Sequence, residues 1–303
     1  MNIPNNIRIK EVGPRDGLQN ENGVLSTGDK IAWIDMLSLT GLPYIEITSF
    51  VHPKWIPPLA DALEVAKGIK RKPGVTYAAL VPNAKGLERA LEGDIDEAAV
   101  FMSASETHNL KNINKTIDET LPVLKEVITE AIKAKRTARA YLSVVFGCPY
   151  EKAVPLDRII RISETLFDMD ICELSLGDTI GAANPVQVEI VLEALLKRFP
   201  KEKIAVHFHD TRGMALANML TAMNMGITAF DGACGGLGGC PYAPGSSGNA
   251  ATDDLIYMCA QMGIETGVDL GKLLKAARWV EEKMGRQLPS RNLQAAKSLG
   301  KLP

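Results

Sequence analysis

The chain has 303 residues, 46% of them hydrophobic and 23% charged, the balance of a soluble globular protein with a substantial core. Its formal charge of −2 gives no electrostatic reason for nucleic acid or an anionic membrane as partner, and no window approaches the roughly 18 apolar residues of a membrane span. Five scattered cysteines make neither a disulfide framework nor a CxxC zinc pattern, and residues 1–6 have neither a signal-peptide core nor a transit-peptide composition, so a reducing cytoplasm is expected.

From residue 8 to about residue 262, short β-branched and apolar runs alternate with helical patterns. Strands are expected at 8–12, 44–48, 75–80, 98–102, 138–145, 171–176, 204–209 and 227–231. Helical spacing follows each of them. The first helix, 29–39, places Ile31, Ile34 and Leu37 on one face, and the others are expected at 59–67, 85–91, 117–135, 156–167, 185–198, 214–225 and 252–262. The stretch 107–135 is long for one barrel helix, so 109–115 is read as an irregular loop or a separate short helix. Eight such units over roughly 250 residues predict an α/β fold, a (β/α)8 TIM barrel. Its rival, a doubly wound open sheet, lacks the G-x-G-x-x-G fingerprint after the first strand. Beyond the eighth unit come an amphipathic helix, 269–284, and a polar tail, 286–303. The expected division is a catalytic barrel over 1–265 and a helical extension over 266–303, packed on the barrel or on a partner subunit.

A barrel puts its chemistry at the C-terminal ends of the strands. Four of those ends are polar: Gly13-Pro14-Arg15-Asp16-Gly17, Glu46-Ile47-Thr48-Ser49, Leu176-Gly177-Asp178-Thr179 and His207-Phe208-His209-Asp210. Singly, such turns are punctuation; four together converge on one mouth. His207 and His209 lie two apart, so on a strand they share a face, either as half of a metal site or as a hydrogen-bonded pair. Residues 231–249 hold seven glycines, a density that argues against helix or regular strand and puts a loop over the mouth, as a lid or as a plain connection. Cys240 within it is a thiol placed to give or take a proton. Of the remaining candidates, His52 is read as structural or mouth-lining, and His108 as solvated. Cys148, Cys172, Cys234 and Cys259 are read as buried small apolar residues.

Four motifs together resemble the 3-hydroxy-3-methylglutaryl-CoA lyase family over about residues 9–284. They are Gly13-Pro14-Arg15-Asp16-Gly17-Leu18-Gln19, Ser175-Leu176-Gly177-Asp178-Thr179-Ile180-Gly181, His207-x-His209-Asp210-Thr211 and Gly235-Gly236-Leu237-Gly238-Gly239-Cys240-Pro241-Tyr242-Ala243. The first and third are shared with the wider superfamily of metal-dependent barrel lyases and Claisen-type synthases, whereas the cysteine loop is more specific. The resemblance implies cleavage of 3-hydroxy-3-methylglutaryl-CoA to acetyl-CoA and acetoacetate, a step of leucine degradation, with Mg2+ or Mn2+. By the same resemblance Asp16, His207, His209 and Asn249 would be metal ligands, and Arg15 would hold the thioester oxygen. Cys240 would be the catalytic thiol on a mobile loop, with Glu46 and Asp178 orienting the set. Asp253 departs from the pattern, standing where the family carries Glu. Either His207 or Asp16 could accept the substrate's proton. The expected partners are the small acyl-CoA substrate and a second copy of the chain, with no nucleic acid and no membrane. Rival readings are a related lyase, aldolase or Claisen-type synthase on another hydroxyacyl thioester, and a binding barrel with a structural metal. A synthase would normally append a long regulatory region, and the loop thiol speaks against the binding barrel.

Overall fold

The computed structural model describes residues 3–21, 25–240 and 243–300, with the backbone alone at residues 240 and 243–247. Eight parallel strands close into a barrel in chain order: β1 (Arg8–Glu11), β2 (Tyr44–Ser49), β3 (Thr76–Leu80), β4 (Glu97–Ser103), β5 (Thr137–Ser143), β6 (Glu173–Asp178), β7 (Ile204–Phe208) and β8 (Ala229–Gly232). Closure comes where Arg8, Ile9, Lys10 and Glu11 pair with Ala229, Phe230, Asp231 and Gly232. The (β/α)8 barrel read from the sequence is therefore the fold. Side-chain alternation explains how such short strands serve two environments. Along β7, Ile204, Val206 and Phe208 join the main apolar core, while Ala205 and His207 take the other face.

The surrounding helices are α1 (Thr27–Ser38), α2 (Ala62–Gly68), α3 (Ala84–Glu92), α4 (Glu106–Ile113), α5 (Ile117–Lys133), α6 (Leu156–Phe167), α7 (Pro185–Leu196), α8 (Ala215–Asn224) and α9 (Thr252–Gln261). Their starts follow capping chemistry: Ser26, Asn83, Ser105 and Asn184 each accept a backbone N–H of the first turn, and Thr116 with Glu119 forms a capping box. The expected helix at 59–67 starts later, because Pro57 and Pro58 open a separate tight turn, Pro57–Leu59. The long stretch before β5 divides at Asn114, which takes a left-handed conformation at φ 54° and ends α4.

Two readings are corrected here. His108 is buried rather than solvated, because the Ser105 cap starts α4 early and turns the ring under β4, where Ser103 Oγ lies 2.5 Å from its Nδ1. Burial pushes that imidazole down to about 4. Cys172 is exposed rather than buried, since it precedes β6 at the far end of the barrel, with its Sγ 3.2 Å from Glu97 Oε2. Cys148, Cys234 and Cys259 are buried as expected.

The glycine-rich segment also differs from its reading. It carries a short antiparallel pair, β9 (Gly239–Cys240) and β10 (Ala243–Ser247), with an irregular register between Ala243 and Ser247. A two-stranded ribbon needs no side-chain core to satisfy its backbone groups, so glycine does not forbid it. Past α9, α10 (Leu270–Met284) packs on α1 and buries Leu273, Ala276, Ala277 and Val280. The tail is not merely polar: α11 (Arg291–Ser298), capped by Ser290, sits on α9 and α10 and buries Leu293.

Candidate metal centre at the barrel mouth

After β1, the Val12 carbonyl accepts N–H groups from Arg15 at 3.1 Å, Asp16 at 2.7 Å and Gly17 at 3.3 Å. This one wide turn, with Pro14 near its start, brings Arg15 and Asp16 together at the mouth. At the end of β7 the two imidazoles lie with ring centroids 5.2 Å apart. A bridge pairs His209 with Asn249, and the Ala250 N–H donates to the Phe208 carbonyl at 3.1 Å, so the segment after the glycine-rich ribbon lies along the strand end. Ligand atoms of Asp16, His207 and His209 fall within 4.8 Å of one another.

The electrostatics follow from burial against neighbouring charge. Burial alone would raise the Asp16 carboxyl, but Arg15, His207 and His209 outweigh it and hold it at about 2. Burial would lower His207, yet Asp231 and Asp16 raise it instead. His209 has no such anchor; burial and then His207 push it down to about 4. His207 Nδ1 is 3.3 Å from Asp231 Oδ2 and its Nε2 is 3.7 Å from Asp16 Oδ2, so one ring nitrogen is anchored while the other faces the site. Glu46 holds Arg15 from behind, with its Oε2 accepting from Arg15 Nε at 2.8 Å and from the Tyr141 hydroxyl at 3.0 Å.

These groups open into a cavity of about 1110 Å³ lined by Arg15, Asp16, Tyr141, His207, His209 and Gly239, with His52 and Trp55 at its rim. A smaller cavity of about 480 Å³ near Cys148 is mostly apolar and contains none of them. The size and polarity of the larger one suit an extended substrate with a few oriented polar groups.

The structure places the sequence-predicted site residues, apart from the Cys240 side chain. Asp16, His207, His209 and Asn249 converge; Arg15 and Glu46 stand beside them. Asp178 does not touch the group: its carboxylate accepts from Ala182 N at 2.8 Å and Ala183 N at 3.1 Å, shaping its own loop. Burial pushes it up to about 6. Asp253 is buried away from the mouth and accepts the Gly235 N–H at 2.7 Å. The Cys240 side chain, with Pro241 and Tyr242, lies outside the described residues, and the preceding Gly239 lines the cavity. Sequence reading missed Asp231, Arg139 and Tyr141. Arg139 was visible as a charged residue inside an otherwise apolar strand, a signal of a buried ion pair when both sheet faces are covered.

The model of the HMGL-like family matches residues 6–280. The chain belongs to the HMGL-like family. Among its relatives, the hydroxymethylglutaryl-CoA lyase YngG of Bacillus subtilis is 70% identical over 98% of this chain and all of its own length. A crystal structure of the Bacillus subtilis HMG-CoA lyase superposes with a TM-score of 0.97 at 70% identity, covering 98% of this chain and 100% of that one. An HMG-CoA lyase of Acinetobacter baumannii, solved in complex with coenzyme A and 3-methylmalate, gives 0.92 at 40% identity, covering 96% of this chain and 95% of that one. Within the HMGL-like family, then, the likeness spans both ends of the barrel.

Proposed function

We propose that the chain is a hydroxymethylglutaryl-CoA lyase, cleaving 3-hydroxy-3-methylglutaryl-CoA to acetyl-CoA and acetoacetate with Mg2+ or Mn2+. The observation that carries this reading is the meeting of Asp16, His207 and His209 beside Arg15 in the cavity, within a chain 70% identical to a lyase of that name.

The residues present fit a divalent ion. His209 Nδ1 and Asn249 Oδ1 are buried atoms with no hydrogen-bond partner among the described residues, an uncommon state for native polar groups. One carboxylate, two imidazoles and an amide oxygen suit Mg2+ or Mn2+ better than a structural zinc site. We assign Asp16, His207, His209 and Asn249 to hold it. A bound divalent ion would lower the hydroxyl pKa of the substrate and fix its chelated oxygens.

The protein's own groups do the rest. Either Asp16 or His207 is assigned to take the hydroxyl proton. Breaking the carbon–carbon bond leaves a ketone on one fragment and passes the electron pair into the thioester as an enolate. Arg15, oriented by Glu46, supplies positive charge where that oxyanion forms. Cys240, next to cavity-lining Gly239, is assigned to protonate the enolate carbon. Asp178 supports the site at one remove, through the loop it shapes. A cytoplasmic homodimer serving leucine degradation completes the reading, with 1–265 as the barrel and 266–303 as its extension. Unpaired Cys148, Cys172, Cys234 and Cys259 suit a reducing compartment.

The test is acetoacetate release from the purified protein, abolished by chelation and restored by Mg2+ or Mn2+. Thioester cleavage that survives chelation, or no acetoacetate with either ion, rejects the proposal.

A further inference from the structure

The proposed reaction makes no use of the C-terminal segment, yet that segment closes over the turn leading to the ribbon. Gly235 sits at φ +70° in this turn. Its N–H donates to Asp253 Oδ1 at 2.7 Å, and its carbonyl accepts from the Ser290 N–H at 3.1 Å. The Ser290 hydroxyl donates to the other oxygen of Asp253, so both hydrogen-bonding groups of Gly235 are taken by one Asp–Ser pair. Side chains cover the same place. A Cβ at Gly235 would come within 2.5 Å of Leu288 Cδ1, and one at Gly236 within 3.0 Å of Pro289 Cγ.

The turn in turn holds a candidate ligand. Asn249 Nδ2 donates to the Leu237 carbonyl at 3.2 Å, which ties the NH2 end of the amide and leaves Oδ1 buried without a partner among the described residues. Gly238 passes so close that a Cβ there would lie 2.7 Å from the same Nδ2. Glycines at positive φ have many alternative conformations, so the aim of this amide depends on whatever holds the turn.

We propose that Leu288, Pro289 and Ser290 form a positioning clamp for the active site: acting through Asp253 on Gly235, they set the aim of the Asn249 amide. The inference rests on the reading of Asn249 as a metal ligand. Asp253 and Ser290 are positioning residues, neither of them among the residues that line the cavity.

The test is Mn2+ binding by titration, with kcat, KM and melting temperature, for the parent, Ser290→Ala, Ser290→Thr, Asn249→Ala and the double variant Ser290→Ala/Asn249→Ala. Ser290→Ala is expected to weaken Mn2+ binding and lower kcat by roughly tenfold each, as for a residue that orients a ligand. Ser290→Thr, which keeps the hydroxyl, should restore both. In the Asn249→Ala background the Ser290 change should cost no further Mn2+ affinity, since both act through one amide. Ser290 also caps α11 through the Leu293 N–H, and loss of that cap alone would move only the melting temperature. Should Ser290→Ala fold poorly, Ser290→Gly keeps a tolerated cap while removing the hydroxyl. Parent-like Mn2+ affinity in Ser290→Ala or Ser290→Gly, or losses that add in the double variant, overturns the clamp. Parent-like binding by Asn249→Ala removes the ligand reading instead, and the clamp with it.

Discussion

Charged side chains fill two levels of the barrel, and their pairing differs. Toward the N-terminal ends of the strands, Arg139 donates to Glu173 at 2.7 Å and to Asp231 at 2.5 Å, and Lys10 lies 3.0 Å from Glu173. The Arg139 guanidinium also stands 4.6 Å from the Tyr141 ring centroid. This level is sealed, and each cation faces carboxylates. At the mouth, Arg15 is likewise held by Glu46 and Asp16, but His209 Nδ1 and Asn249 Oδ1 have no hydrogen-bond partner among the described residues. Asp231 belongs to both levels, bonding Arg139 below and His207 above. Burying charge is expensive in either place. Below, ion pairs offset most of that cost, although Arg139 Nη1 and Glu97 Oε1 have no hydrogen-bond partner among the described residues; above, partnerless acceptors converge with a carboxylate on the cavity. Buried charge alone therefore does not mark a site, whereas converging acceptors without partners do.

The sharpest contrast comes from removing a ligand. His207→Ala and Asp16→Asn are expected to lose divalent-ion binding and to cut turnover by roughly 10²–10⁴, the range for a lost proton-transfer group. A Mn2+ titration identical to the parent's would make the mouth another sealed ion network. Cys240→Ala should fall in the same range of rate while changing stability by no more than about 0.5 kcal/mol. Near-parent turnover would take Cys240 out of the mechanism.

The two arginines test the contrast directly. Arg15→Gln should lower kcat by roughly 10²–10³, because it removes charge at a developing oxyanion, and should lower the melt as well, because Glu46 would be left buried without its cation. Arg139→Gln should instead cost about 3–5 kcal/mol of stability, since Asp231 and Glu173 would be left buried without their cation. Kinetics and urea unfolding of both variants decide the matter, and matching phenotypes would erase the distinction between levels. Between them lies Asp231→Asn, expected to weaken Mn2+ affinity by roughly 10–100-fold through the His207 ring it anchors.

The smallest expected effect concerns Glu11, which links the Arg15 turn to the ribbon's root by accepting from Gly13 N and Cys234 N at 2.8 Å each and from Thr252 Oγ1 at 2.7 Å. Burial lifts its carboxyl from 4.5 to about 7, despite those hydrogen bonds pulling the other way. Across that window the folded chain keeps a proton that the unfolded chain has lost, so this group's contribution to stability falls as pH rises. Glu11→Gln keeps an acceptor but does not titrate. Between about pH 5 and pH 8 its stability relative to the parent should therefore rise by on the order of 1–3 kcal/mol. Urea melts at several pH values check this, and a flat difference would show that Glu11 stays ionised.

Much of the fold was legible because its signals are local. A period of two along 204–209 put His207 and His209 on one face whatever surrounded them, and glycine, proline and apolar spacing marked the eight units. The convergence of Arg15, Asp16 and His207 followed from topology, since a barrel brings all strand ends to one mouth. What local pattern could not decide was pairing at long range. Arg139 and Asp231 are 92 residues apart, and nothing near either names the other. His108 read as solvated because a polar stretch follows it, yet a helix cap three residues earlier buries it against Ser103 at the wall of the cavity. Glycines at 235–239 announced conformational freedom; distant Asp253, Leu288, Pro289 and Ser290 bond and pack against the turn that is taken. Sequence thus determined the elements and the direction their side chains face, because propensity and alternation act over a few residues. Tertiary structure decided which charges are sealed and which stay open, because that depends on whether another segment arrives with a partner.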